Sequence, residues 1–321
     1  MKQFVVNKFD SNQSLEKYIK KILKNAPISF IYKLLRKKDV KINGKRDNGK
    51  SIIQENDLIE IYITDDQYED FSKDREIVPN DKIKDLIIFE NDDVLVINKP
   101  RNLLVQSDGG HDESLDEMVK SYCLFKGSKS EFLASPVHRI DRNTSGVVIF
   151  AKSVAIANYL SNIFKEHNLV KKIYYCLVKG KVENKGEINA SLKKNEKLNK
   201  VFVDQADGKS AITKYEPLFC NDKYSYLKVN LSTGRSHQIR AHLAYVNHPI
   251  IGDEKYGDFE LNKYFKKEYN FDNQFLHAGE IQFGKLGDVC SSISEMKFIA
   301  EMPKEEIDIL NKIKEENLWM K

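Results

Sequence analysis

The stretch HRIDRNTSGVVIFAK, His138 to Lys152, decides how the chain is read. GVVIFA is a continuous run of apolar and small residues, the signature of a buried strand. RNTSG before it is turn-forming, so Asp141 is placed in a turn at the edge of the core, between Arg139 and Arg142 in sequence. Flanking guanidinium groups would keep such an acid ionised, because an opposite charge within a few ångströms lowers a carboxylate pKa. An ionised acid suits a nucleophile or base, not a proton donor. The competing reading is a structural Asp–Arg pair.

Two further segments favour a site. STGRSHQIRAH, Ser232 to His242, gathers Arg235, His237, Gln238 and Arg240 where a strand turns into a helix, a place with free N–H groups and bidentate donors for phosphate or carboxylate. KKIYYCLVKG, Lys171 to Gly180, puts Tyr174 and Tyr175 on opposite faces of a strand, one inward and one exposed. An aromatic ring near an acid and several arginines is how proteins stack an unstacked base.

Outward from these, strands are predicted at VLVINK, GVVIFAK, KIYYCLV, AITKYEPLF and YSYLKVNLS. Helices are predicted at 114–125, 153–167, 236–246 and 304–319. The two do not alternate one for one, which indicates α+β with a mixed, mainly antiparallel sheet. Nearer the N-terminus, SLEKYIKKILKN, capped by Ser14, and a second helix from Ser29 precede VKING and NDLIEIYI, two strands joined by a Gly-rich turn. Residues 1–64 thus form a small α+β domain. The polar, aperiodic 65–84 reads as a linker and 85–321 as the main domain.

Charge is uneven. The chain carries +4, yet Ser14 to Lys50 holds twelve Lys or Arg against three acids, a net +9, the footprint of a polyanion-binding module. Lys33, Arg36, Lys37, Lys38, Lys45 and Arg46 are its candidate RNA contacts. The longest apolar runs fall far short of the roughly 18 residues of a membrane span, and the first residues do not read as a secretory signal, so a cytoplasmic protein is expected. Four scattered cysteines without C-x-x-C pairs, and His237 and His242 on different faces of a helix, argue against a metal site. GKRDNGKS, Gly44 to Ser51, matches a phosphate-binding loop, but SIIQENDLIEIYI after it reads as turn and strand, not the helix whose N-terminus would hold phosphate. A nucleotide hydrolase is therefore disfavoured.

NKPRNLLV (Asn98 to Val105), the Asp141 stretch, KKIYYCLVKG, STGRSHQIRAH with HPIIGDEKYG (His248 to Gly257), and FLHA (Phe275 to Ala278) stand in the order that resembles pseudouridine synthases acting on large-subunit ribosomal RNA. PISFIYKLLRKKDVKINGKR resembles the S4-like RNA-binding domain of a small-subunit ribosomal protein. The resemblance implies an RNA cleft across a mainly antiparallel sheet, with no cofactor; a monomer is the default expectation. It implies Asp141 as the essential carboxylate, Tyr174 against the target uracil, and Arg240 paired with Asp141. Arg139 would fill the space left by an extruded uridine, and Arg142, Arg235, His237 and Gln238 would contact RNA. The other reading is a non-catalytic RNA-binding or ribosome-assembly factor. Asn102 and Gln106 stand where many relatives have Gly and His.

Overall fold

The computed structural model describes residues 1–72, 77–108, 112–130, 132–166, 169–195 and 198–318. His167 and Trp319, expected to close two of the helices, lie outside them. The chain divides into two compact units: Met1–Val78 with Gln106–Glu113, and Pro79–Val105 with Ser114–Lys321.

In the first unit, helices Leu15–Ile22 and Ile28–Lys37 lie on a four-stranded sheet ordered Lys2–Val5, Leu58–Ile61, Val40–Ile42, Lys45–Arg46. The Ser14 side chain accepts from the N–H of Lys17, the expected cap, which typically stabilises a helix by about 1 kcal/mol. Leu15, Ile19, Ile31, Leu35, Val40, Ile59 and Ile61 fill the core. The two expected strands pair, Ile42 with Ile59, and a strand not expected, Lys45–Arg46, adds a tight hairpin at the other edge. Asn43 and Gly44 both take positive φ, 49° and 77°, so the chain reverses in two residues and Ile42 pairs with Lys45. Lys2–Val5, which carried no expectation of a strand, pairs with Leu58–Ile61. The segment read as a linker is also corrected at its start: Asp65–Ser72 is a helix, and its Tyr68 and Phe71 pack on Phe4 and Phe30.

The second unit is built on a ten-stranded sheet. Its main path runs Gly186–Asn189, Ile212–Cys220, Tyr224–Leu231, Val170–Lys179, Leu276–Phe283, Ser145–Ala151, Val94–Lys99, Ile87–Glu90. Among the described residues, Ser145–Ala151 with Leu276–Phe283 is the one parallel pairing; the rest are antiparallel. The apolar run is explained by its two neighbours. Val147, Ile149 and Ala151 pack with Ile156, Leu160 and Ile163 of helix Val154–Glu166, while Val148 and Phe150 pack with Leu115 and Val119 of helix Leu115–Phe125. Both faces of this strand are core, so no polar residue interrupts it. Gly146 is required by close approach: at φ 119° its missing Cβ would stand 2.1 Å from the carbonyl oxygen of Ala278 across the parallel pairing. Among the described residues no helix is long and apolar enough to cross a membrane.

Candidate active site

Asp141 lies in the turn before Ser145–Ala151, and the turn is pinned from three sides. Lys99, fully buried at the end of its strand, donates from Nζ to the carbonyl oxygens of Pro100 (2.7 Å), Leu103 (2.8 Å) and Arg142 (3.0 Å). Burial draws its pKa down to about 7, against the opposing pull of Asp141. Gln274 donates from Nε2 to Thr144 Oγ1 at 2.6 Å. His277 lies 2.9 Å from Ser145 Oγ through Nδ1 and 3.1 Å from the Ala300 carbonyl oxygen through Nε2. A carbonyl only accepts, so Nε2 holds the proton and Nδ1 accepts from the serine. Burial lowers the His277 pKa and keeps it neutral.

The ion-pair partner of Asp141 is Arg240, 99 residues away in sequence, rather than a neighbouring arginine. Arg240 Nη1 donates to Asp141 Oδ2 at 2.8 Å, while Nε and Nη2 grip both oxygens of Asp253 at 2.7 and 2.9 Å. The side chains of Arg240 and Asp253 are 8% and 0% exposed and that of Asp141 is 29% exposed, so the pair presents its acid outward. Burial opposes the charge on Arg240, but the Asp253 and Asp141 carboxylates outweigh it and raise its pKa. Asp253 also accepts from the N–H groups of Lys255 (2.9 Å) and Tyr256 (3.1 Å). Such a fork fixes the guanidinium plane.

Tyr174 is half-buried beside Asp141; burial, and after it the charge of Asp141, push its hydroxyl pKa up. Tyr175 is not the exposed partner expected of it. It is also half-buried, stacks on Tyr226 at 6.1 Å and donates to Glu280 Oε1 at 2.5 Å. Lys172 is buried, and desolvation brings its pKa to about 8.

The remaining candidates separate by exposure. Arg139 is exposed; Arg142 is exposed and donates from Nε to the Asn102 carbonyl oxygen at 3.3 Å. Arg235 is exposed, with Nε on the Ser210 carbonyl oxygen at 3.2 Å. His237 is half-buried at the start of helix Gln238–Tyr245. Gln238 is a correction. It is 2% exposed, its Oε1 accepts from Thr233 Oγ1 and the Arg235 N–H, and its Nε2 donates to the Ile212 carbonyl oxygen and Thr213 Oγ1. With its amide fully engaged it holds the strand-to-helix turn and has nothing left to offer RNA. Lys33, Arg36, Lys37, Lys38, Lys45 and Arg46 are all exposed in the first unit. The Gly44–Ser51 loop runs into strand Ile52–Ile53, and Asp47 accepts from the Gly49 N–H and the Ser51 hydroxyl. A helix-bound phosphate site is absent there.

Lys99, Asp253, Tyr256 and Gln274 were not singled out from sequence. Asp253 and Tyr256 lie within the quoted HPIIGDEKYG, where an acid between glycine and glutamate gives no sign of burial.

A mainly antiparallel sheet thus presents a carboxylate held by a buried arginine, and comparison with known proteins identifies the family. A family model for RNA pseudouridylate synthase matches residues 93–245. An uncharacterised RNA pseudouridine synthase of Mycoplasma capricolum is 35% identical over 298 residues, covering 89% of this chain and 93% of that one. Ribosomal large subunit pseudouridine synthase C of Vibrio parahaemolyticus is 32% identical, covering 88% of each. The solved structure of human RNA pseudouridylate synthase domain containing 4 aligns with a TM-score of 0.59 at 20% identity, covering 73% of this chain and 94% of that one, a likeness of fold. The chain belongs to the RNA pseudouridine synthase family and is an isomerase.

Proposed function

We propose that this enzyme converts uridines of large-subunit ribosomal RNA to pseudouridine with Asp141 as its essential carboxylate. The observation that carries this reading is the outward-facing Asp141 held by the buried, doubly anchored Arg240. The ribosomal RNA assignment rests on what the Vibrio relative is named for.

The isomerisation breaks the bond from N1 to the ribose, turns the base and rejoins it through C5, whose proton is lost. It calls for no redox step and no phosphoryl transfer. Attack on the base, attack on the ribose and abstraction of a ribose proton all demand the same of the protein: an ionised oxygen in a fixed position. Arg240 orients the Asp141 carboxylate through Nη1, and its fork on Asp253 fixes the guanidinium in place. Tyr174, beside the acid, offers a ring on which a uracil taken from its stack can rest. Arg139, Arg142 and Arg235 supply exposed charge for the surrounding phosphates, and the N-terminal S4-like unit adds Lys33, Arg36, Lys37, Lys38, Lys45 and Arg46 as a sequence-independent anchor.

The test is tritium release from large-subunit RNA labelled at C5 of uridine. Wild type releases label and Asp141→Asn does not, while both bind the RNA. Release by the Asn variant at the wild-type rate would remove Asp141 from the chemistry.

A further inference from the structure

Tyr256 touches two members of the site at once. Its ring centre lies 5.1 Å from the Arg240 guanidinium and its ring meets that of His237 edge-on. Its hydroxyl oxygen accepts from the Val201 N–H at 2.7 Å and lies 2.9 Å from His237 Nδ1.

These contacts point to one placement of the protons. A backbone N–H can only donate, so one lone pair of the phenol is committed to Val201. Among the described residues, the acceptor within reach of the phenol's own proton is His237 Nδ1. A bare imidazole nitrogen is a good acceptor and a phenol a good donor, so the O–H points at Nδ1 and the imidazole proton resides on Nε2. Burial lowers the His237 pKa, outweighing the opposite pull of Asp141, which keeps the ring neutral. His237 itself has φ 50° and ψ 21°, a left-handed conformation at the start of its helix. Nε2 has no protein partner among the described residues, and the ring is close enough to Asp141 to feel its charge.

We propose that Tyr256 is a positioning residue that fixes His237 as the Nε2–H tautomer, so that His237 presents a neutral N–H donor beside Asp141 to an acceptor oxygen of the bound RNA. The proposal rests on the Asp141-centred reading of the site. A neutral donor suits this place because a cation there would compete with Arg240 for the carboxylate. The acceptor chemistry is a uracil carbonyl or a non-bridging phosphate oxygen.

The first experiment needs neither RNA nor turnover, so its failure is distinct from a failure of the role given to Asp141. In protein labelled with 15N-histidine, long-range proton–nitrogen spectra are expected to show His237 with Nε2 protonated and Nδ1 bare. Tyr256→Phe keeps the ring on Arg240 and removes the O–H; His237 should then gain a measurable share of the Nδ1–H tautomer. An Nδ1–H tautomer in wild type, or an unchanged tautomer in Tyr256→Phe, overturns the proposal.

The second experiment measures tritium release by His237→Ala, His237→Asn and His237→Gln. The Gln amide nitrogen reaches the Nε2 position and the Asn amide reaches only the Nδ1 position. Loss of one such hydrogen bond predicts about a tenfold fall in kcat/KM for Ala and Asn. Gln should recover part of it, and equal losses in all three would overturn the donor role. Repeating the His237→Ala comparison on RNA with a neutral methylphosphonate beside the target assigns the acceptor: the penalty vanishes if it is phosphate and persists if it is a uracil carbonyl.

Discussion

Arg240 serves two acids with one guanidinium, and the geometry divides the work: Nε and Nη2 belong to the buried Asp253, leaving Nη1 for Asp141. A lysine carries the same charge but cannot span both carboxylates. Arg240→Lys is therefore expected to lower kcat by about 10²-fold, the scale of losing one oriented donor, while RNA affinity changes little. Single-turnover and filter-binding measurements separate the two, and a kcat within threefold of wild type would mean that charge alone suffices. Asp253 has the opposite profile, since it never meets solvent. Asp253→Asn leaves a buried guanidinium short of its counter-charge, so a stability loss of about 3–5 kcal/mol is expected in denaturant unfolding. At the residue level, the structure brings together Asp141 and Arg240, the pair expected from the sequence. Asp141 stood out because an acid between arginines in a turn is conspicuous. Gln238 misled because a glutamine satisfied by four protein groups looks, in sequence, like one offered to a ligand.

At the scale of elements, strands with unbroken β-branched runs were legible and the most central neighbour was not. Leu276–Phe283 escaped notice because LHAGEIQF mixes His277, Gly279 and Glu280 into a buried strand, and its periodicity appears only once Ser145–Ala151 and Val170–Lys179 flank it. Gly146 marks the tightest point of that junction. Gly146→Ala should destabilise the protein by about 3 kcal/mol or more, because the backbone of Ala278 cannot recede without breaking the sheet. Unfolding midpoints compared with a control such as Gly127→Ala, whose site is open, would test this. The C-terminal helix Lys304–Leu318 carries a different strain. Glu306 in its first turn is fully buried, its carboxylate oxygens lack hydrogen bonds, and Arg101 Nη1 stands 3.5 Å away. Burial raises its pKa to about 7, a shift that Arg101 opposes only in part. Because the folded form holds this proton more tightly than the unfolded one, the stability it contributes is present below about pH 4.5 and lost as pH rises through about 7. Glu306→Gln should flatten that decline, making the variant more stable than wild type above pH 7 by on the order of 1–3 kcal/mol. Parallel declines in thermal midpoint for the two proteins between pH 5 and 8 would contradict it.

At the scale of the whole molecule, the basic stretch Ser14 to Lys50 and the Asp141 site lie in different compact units. If the exposed cations of the first unit anchor RNA through phosphates, replacing Arg36, Lys37, Lys38, Lys45 and Arg46 with serine should lessen the log–log dependence of affinity on salt by up to about 3.5, at about 0.7 per contact on single strands. An unchanged slope would move the anchor elsewhere. The parallel pairing of Ser145–Ala151 with Leu276–Phe283 has a further consequence, for synthesis. Ser145–Ala151 leaves the ribosome well before Leu276–Phe283, the strand that covers one of its edges. A nascent or prematurely terminated chain ending between them would hold a bare apolar edge, a template for aggregation, and would lack His277 against the Asp141 turn. Activity should therefore appear only in the last fraction of translation, and fragments ending before residue 276 should be both inactive and prone to precipitate.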